Sequence, residues 1–165
     1  MIFLTLGTQL PFDRLVRAMD IWCADTPDQT VFGQIATSSS ENYLPKNFEW
    51  KDFVEPDEFK SLYEEADLIV AHAGMGSIIT ALTGAKRIMI MPRSAALNEH
   101  RNDHQMATAN RFKDRENVYV ADNEHVFSKL LTELIEVKYV AGYTKADEFA
   151  EPSLINAIRD FIHQD

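Results

Sequence analysis

An α/β fold, built as one parallel sheet with helices on both faces, is what this sequence predicts. Three observations carry it. The strand candidates at 1–6, 68–71 and 87–91 are continuous apolar runs rather than alternating ones. That is the pattern of strands buried on both faces. Amphipathic helical stretches separate them, the alternation of a doubly wound domain. Turns and loops of functional composition follow the strands, and such folds bind ligands beyond the carboxyl ends of their strands.

Each element has its own signal. Residues 1–6 form the first strand, and Gly7, Thr8 and Gln9 turn the chain. Pro11 suits the first turn of a helix. Phe12, Leu15, Val16, Met19 and Trp22 then recur at helical spacing. Residues 30–36 read as a strand, 38–42 as a polar loop and 48–54 as a short strand. A helix over 56–66 places Phe59, Leu62 and Tyr63 on its inner face. The strand at 68–71 leads into a glycine turn, and a helix over 77–83 closes on Gly84 as its C′ residue. Residues 87–91 form a strand ended by Pro92, and 93–103 a polar loop. A helix at 104–112, a strand at 118–121 and a helix at 124–137 follow, the last with Val126, Leu130, Leu131 and Leu134 inward. A final helix, about 152–163, carries Leu154, Ile155, Ile158, Phe161 and Ile162 as one apolar stripe. That stripe either closes on the chain's own core or docks on a partner.

Composition bounds the function. A chain of 165 residues suffices for one domain of roughly 100–200 residues, here 1–165. The formal net charge of −10 argues against nucleic acid and against adsorption to anionic lipid. No apolar run approaches the roughly 20 residues of a membrane span. The start is too short for a signal peptide and lacks a basic n-region. Cys23 is the only cysteine, which suits a reducing cytosol. A cytoplasmic chain is expected.

The most informative stretch is His72-Ala73-Gly74-Met75-Gly76-Ser77, after the strand at 68–71. A helix opening there presents unpaired amides and a partial positive charge. Gly74 and Gly76 leave room for an anion, and Ser77 adds a hydroxyl donor. A phosphate or diphosphate fits that site. The plain alternative is a turn whose glycines serve positive φ. Gly7, Val54, this turn and the 92–105 segment all fall at one edge of the sheet.

His72-Ala-Gly-Met-Gly-Ser77, the run 87–93, and Asn98-Glu-His-Arg-Asn-Asp-His-Gln105 together resemble the C-terminal domain of family 28 glycosyltransferases. Gly7-Thr8 followed by Pro11-Phe12-Asp13-Arg14-Leu15 resembles the opening of its stand-alone members. These include exopolysaccharide subunits of the PssE type and the catalytic subunit of the bipartite N-acetylglucosaminyltransferase of lipid-linked oligosaccharide assembly. The resemblance covers about residues 1–121. It implies a Rossmann-like domain equivalent to the C-terminal half of a GT-B glycosyltransferase. It further implies a UDP-sugar donor, no cofactor and no metal. A membrane-anchored, acceptor-binding subunit would complete a heterodimer or larger assembly, and the acceptor would be a lipid-linked sugar. That partner would recruit the chain to the cytoplasmic membrane face.

The resemblance also implies roles. Gly74, Met75, Gly76 and Ser77 match the diphosphate-binding turn. His104 and Gln105 match positions that face the donor sugar, and Asn102 and Asp103 the loop that orders them. Phe53 and Val54 fall where the family places uracil. Gly7 and Thr8 lie at the cleft side of the first strand. Thr80 stands where the family often has a carboxylate for the ribose. A threonine cannot accept two hydrogen bonds from a diol, so Glu99 or Glu55 becomes a substitute, or the chain a non-catalytic binding or regulatory subunit. The general base is unassigned, and the resemblance implies that it comes from the opposite wall of the cleft, in the partner or near the sequence start.

Other residues have two readings. His72 is either a cation beside the diphosphate or a hydrogen-bonded strand-end residue, the latter favoured because an ordinary imidazole is mostly neutral at pH 7. Arg93 is either a phosphate ligand or a solvated loop charge. His100 and His104, four apart with Asp103, have zinc-ligand chemistry if helical. Asp13 is expected to cap its helix. Cys23, His125 and Phe12, Phe59 and Phe127 are expected to pack. A nicotinamide-dependent oxidoreductase is disfavoured, because Gly7-Thr8-Gln9-Leu10-Pro11 is not the Gly-x-Gly-x-x-Gly fingerprint.

Overall fold

The computed structural model describes residues 1–8, 10–37, 41–137 and 152–162. Six strands form one parallel sheet: β1 (Ile2–Thr5), β2 (Val31–Gln34), β3 (Glu49–Lys51), β4 (Leu68–His72), β5 (Arg87–Met91) and β6 (Val118–Val120). Their spatial order is β3-β2-β1-β4-β5-β6. The chain winds outward from β1 in both directions, so the order reverses between β1 and β4. A crevice opens at that switch point. The register sets Thr5 beside Ala71, with Ala71 beside Ile90.

Alternation along each strand sorts the core into two layers. Ile2, Leu4, Leu68, Val70, Met89 and Met91 point to one face. There they meet α1 (Asp13–Asp25) and α5 (Glu124–Glu136) through Leu15, Met19, Trp22, Phe127 and Leu131. Phe3, Ile69, Ala71, Ile88 and Ile90 point to the other. They meet α2 (Pro56–Glu65), α3 (Met75–Thr83) and α4 (His104–Phe112) through Tyr63, Ile78, Ala81 and Ala109. Both sides are buried, which is why the strands read as unbroken apolar runs.

Boundaries shift where backbone pairing, not hydropathy, decides. The strands stop at Thr5, Gln34 and Lys51, short of Leu6, Ala36 and Val54, because the chain there turns into loops. Helix α3 starts at Met75, two residues earlier than expected. Gly84 is its C-cap with φ −85°, and the left-handed residue is Ala85, φ 52°. The 93–103 loop contains a single 3-10 turn, Ala95–Leu97.

Three packing expectations need correction. Val126 is 37% exposed although it was expected inward. His125 lies on the surface. Asp13 caps nothing: its carboxylate accepts the Tyr43 amide at 3.1 Å and faces the Asn42 side chain. Of the two readings of the last helix, α6 (Pro152–Ile162), own-core closure is not seen among the described residues, since the helix buries no residue. Cys23 is on the buried face of α1, and burial, then the nearby Asp20 charge, pushes its thiol up to about 12.

Candidate active site at the carboxyl edge of the sheet

Three strand ends build the site. β1 runs into Gly7 and Thr8, β4 into the turn at His72–Gly74, and β5 into Pro92 and Arg93. Gly7 has φ 71°, a conformation that favours glycine. Two adjoining cavities lie above them. One, of about 440 Å³, is lined by Gly7, Thr8, His72, Arg93, His100 and Gln105 among others. The other, of about 390 Å³, has mostly apolar walls, including Phe53, Val54, Phe59 and Tyr63, with Gln34 and Thr80. Gly7, Thr8, Gly76 and Ser77 border both. The amino end of α3 is therefore the ridge between a polar lobe and an apolar one.

Gly74 is the N-cap of α3, and no side chain caps it. The amides of Met75, Gly76 and Ser77 occupy the first turn, where no intrahelical carbonyl reaches them. The two glycines have different tasks. A β-carbon at Gly76 would meet nothing within 4 Å. At Gly74 it would lie 2.2 Å from Cε1 of His72. So Gly76 leaves open space over the helix end, whereas Gly74 makes room for the chain's own imidazole rather than for an anion.

That imidazole is held by Gln105. Its Nδ1 lies 3.1 Å from Nε2 of Gln105. Oε1 of Gln105 accepts the Arg93 amide at 3.1 Å. A β-carbon at Gly7 would lie 3.5 Å from its Nε2. Burial, then the charge of Arg93, pushes the His72 pKa down to about 4. The ring is neutral at pH 7 and not a cation.

Arg93 is 2% exposed and is no solvated loop charge. Its Nη2 donates to Leu10 O at 2.7 Å and its Nη1 to Pro11 O. The guanidinium lies 4.6 Å from the Phe12 ring centroid. Burial lowers its pKa to about 10, so it keeps its charge and ties the 10–12 segment to the cavity wall.

His104 is exposed at the start of α4 and does not line the cavity. Its ring meets His100 edge-on, centroids 4.4 Å apart, and its Nδ1 pairs with Asn102 Oδ1. His100 lines the polar lobe instead. It precedes α4, so the two histidines are not the helical pair a zinc site needs. No group of three or more His, Cys, Asp or Glu suited to a metal occurs among the described residues. Asp103 accepts the Ala95 amide at 2.8 Å and holds the loop.

The substitutes for a ribose carboxylate divide. Glu99 is committed: Nε and Nη2 of Arg14 donate to it at 2.6 and 2.8 Å, and the Ser94 amide at 2.8 Å. Glu55 is exposed between Val54 and Pro56, beside the apolar lobe. Thr80 lines that lobe, and its hydroxyl donates to Gly76 O at 2.9 Å.

Sequence reasoning missed Gln34. It is 2% exposed, donates to Gly7 O at 3.1 Å and accepts the Val54 amide at 3.0 Å. It thereby joins the β1 turn to the segment after β3. Its signal was there: a polar residue closing an apolar strand. Val54 is buried, while Phe53 is 53% exposed at the rim.

The strand order and the divided cleft define a doubly wound α/β domain of Rossmann-like architecture, with its ligand crevice at the topological switch. The chain belongs to the glycosyltransferase family 28 C-terminal domain family, whose model matches residues 1–161. Its fold is that of the C-terminal domain of GT-B glycosyltransferases. No curated protein is similar enough to match. Among solved structures, the glycotransferase of kitacinnamycin aligns with TM-score 0.62 and 23% identity, over 83% of this chain and 35% of that one. MurG of Acinetobacter baumannii aligns with TM-score 0.56 and 20% identity, over 81% and 40%. The NMR structure of ALG13 aligns with TM-score 0.57 and 17% identity, over 95% and 93%. The chain thus spans about two fifths or less of the first two proteins and nearly all of the third.

Proposed function

We propose that this chain is the UDP-sugar-binding, catalytic subunit of a two-component inverting glycosyltransferase. The acceptor is a polyprenyl-diphosphate-linked sugar in exopolysaccharide or surface polysaccharide synthesis. The observation that carries the reading is the bare amino end of α3 standing between a polar and an apolar lobe, with open space at Gly76. The diphosphate lies over the amides of Met75, Gly76 and Ser77. The uracil and ribose enter the lobe of Phe53, Val54 and Thr80, and the sugar the lobe of Thr8, His72 and His100. As the sugar–phosphate bond breaks, negative charge grows on the departing UDP. Fixed amides and the helix dipole stabilise it without reorganising. No step needs a metal.

One parallel sheet supplies one wall of a cleft. The second wall and the base that takes the acceptor proton come from a membrane-anchored partner, which recruits the chain to the cytoplasmic membrane face. No helix among the described residues is long and apolar enough to cross a membrane. The exposed stripe of α6 supports docking on that partner. The test is transfer from UDP-sugar by the chain co-purified with its partner. Gly76→Val and Ser77→Ala together should abolish it, and undiminished transfer rejects the assignment.

A second reading, a non-catalytic nucleotide-sugar-binding subunit, is favoured by Thr80, whose hydroxyl already donates to Gly76 O. Donor-dependent transfer or donor hydrolysis by the reconstituted pair counts against it.

A further inference from the structure

We infer that Gln105 is a positioning residue that fixes the tautomer of His72. The inference rests on the proposed UDP-sugar site. Its geometry begins with the Arg93 amide, which only donates, 3.1 Å from Oε1 of Gln105. That contact fixes which way the side-chain amide points. Nε2 then faces Nδ1 of His72 at 3.1 Å, and an amide NH2 has no lone pair to offer. Nδ1 must therefore accept, and the ring proton sits on Nε2. Each end of Gln105 thus has a fixed protein partner, and the residue is 3% exposed.

The consequence lies on the far side of the ring. Nε2–H faces the Gly7 side of the polar lobe, against the ridge formed by α3. A neutral donor beside the amides of Met75–Ser77 complements an anion without a buried charge. Burial and the charged or ionisable neighbours act to keep the ring neutral. Arg93 approaches from the end of β5, His100 from the loop and His104 from α4, and burial outweighs each. Gln105 thus sets which nitrogen donates, while burial and the neighbouring cations keep the ring uncharged.

The probe is UDP, which has no sugar. A glutamine that contacts only the sugar leaves UDP affinity untouched. A glutamine that positions His72 does not. The full chain, labelled with 15N in its histidines, is studied by NMR without ligand and then titrated with UDP. In the wild type, His72 should show Nδ1 bare and Nε2 protonated from pH 6 to 8. Gln105→Met should let both tautomers populate and weaken UDP binding about five- to tenfold, the loss of one oriented hydrogen bond. Gln105→Glu keeps an oxygen for the Arg93 amide but demands a proton on Nδ1, so the 15N signature should reverse. A protonated Nδ1 in the wild type overturns the inference, whatever the variants do. So does unchanged UDP affinity in Gln105→Met. If the wild-type chain fails to bind UDP, the functional reading fails, while the ligand-free spectrum still judges the tautomer separately.

Discussion

His72 lies across Gly74 so closely that the two residues form one unit, with no space for a single β-carbon between them. The ring cannot yield easily, because Gln105 holds its Nδ1. Gly74→Ala should therefore destabilise the fold by about 1–3 kcal/mol, the usual cost of overpacking. Urea unfolding measures it.

Gly76→Ala should do the reverse. Nothing lies within 4 Å of the new methyl, and alanine suits a helix better than glycine. Stability should stay level or rise by up to about 1 kcal/mol, while UDP titration shows weaker binding. Equal loss of stability in both variants would refute the division of tasks between the glycines.

The neutral imidazole predicts a pH dependence. The folded pKa of His72 is about 4, below the ordinary value near 6.5. Between those values the unfolded chain binds more protons, so stability rises with pH across that window. The contribution is complete above pH 6.5 and lost as pH falls towards 4, about 3 kcal/mol in all. His72→Asn should flatten the pH 4–6.5 slope of unfolding free energy.

Arg14 and Glu99 are 13% and 12% exposed, and Glu99 also takes the Ser94 amide. Glu99→Ala leaves an arginine and an amide short of partners. A loss of about 2–4 kcal/mol is expected from calorimetry or urea unfolding. If Glu99 instead served the ribose, stability would change little and UDP affinity would fall.

Thr80→Glu places a carboxylate on the apolar lobe, where a ribose diol would meet it. UDP affinity should rise about tenfold, with little change in stability because the position is exposed. An unchanged affinity would place the ribose elsewhere.

The exposed stripe of α6 gives a last expectation. Ile158→Ser with Phe161→Ser should alter chain stability by less than about 0.5 kcal/mol, since both side chains are more than half exposed. The same pair should reduce co-purification with a membrane partner.

The sheet and its six helices were legible in the sequence because their signal is periodic burial. Strand β5 and helix α4 fall at the expected residues, 87–91 and 104–112. The edge where Gly7, Val54, the 72–77 turn and Arg93 meet was legible too, since parallel strands all end on one side. Hydropathy carries no information about hydrogen-bond partners 80 residues apart. It therefore did not reveal that Arg93 serves Leu10 and Pro11, or that Glu99 serves Arg14. His104 and Gln105 are neighbours in sequence, yet the helical turn sends one to the surface and one into the wall.

The sequence by itself determined the order of strands and helices, the parallel sheet and the glycine turn, because each depends on local pattern and the chirality of the chain. Only the tertiary structure decided which polar groups are already used by the protein and which are left for a ligand. That depends on pairings between distant segments, and a buried side chain satisfied from within has nothing to offer outside.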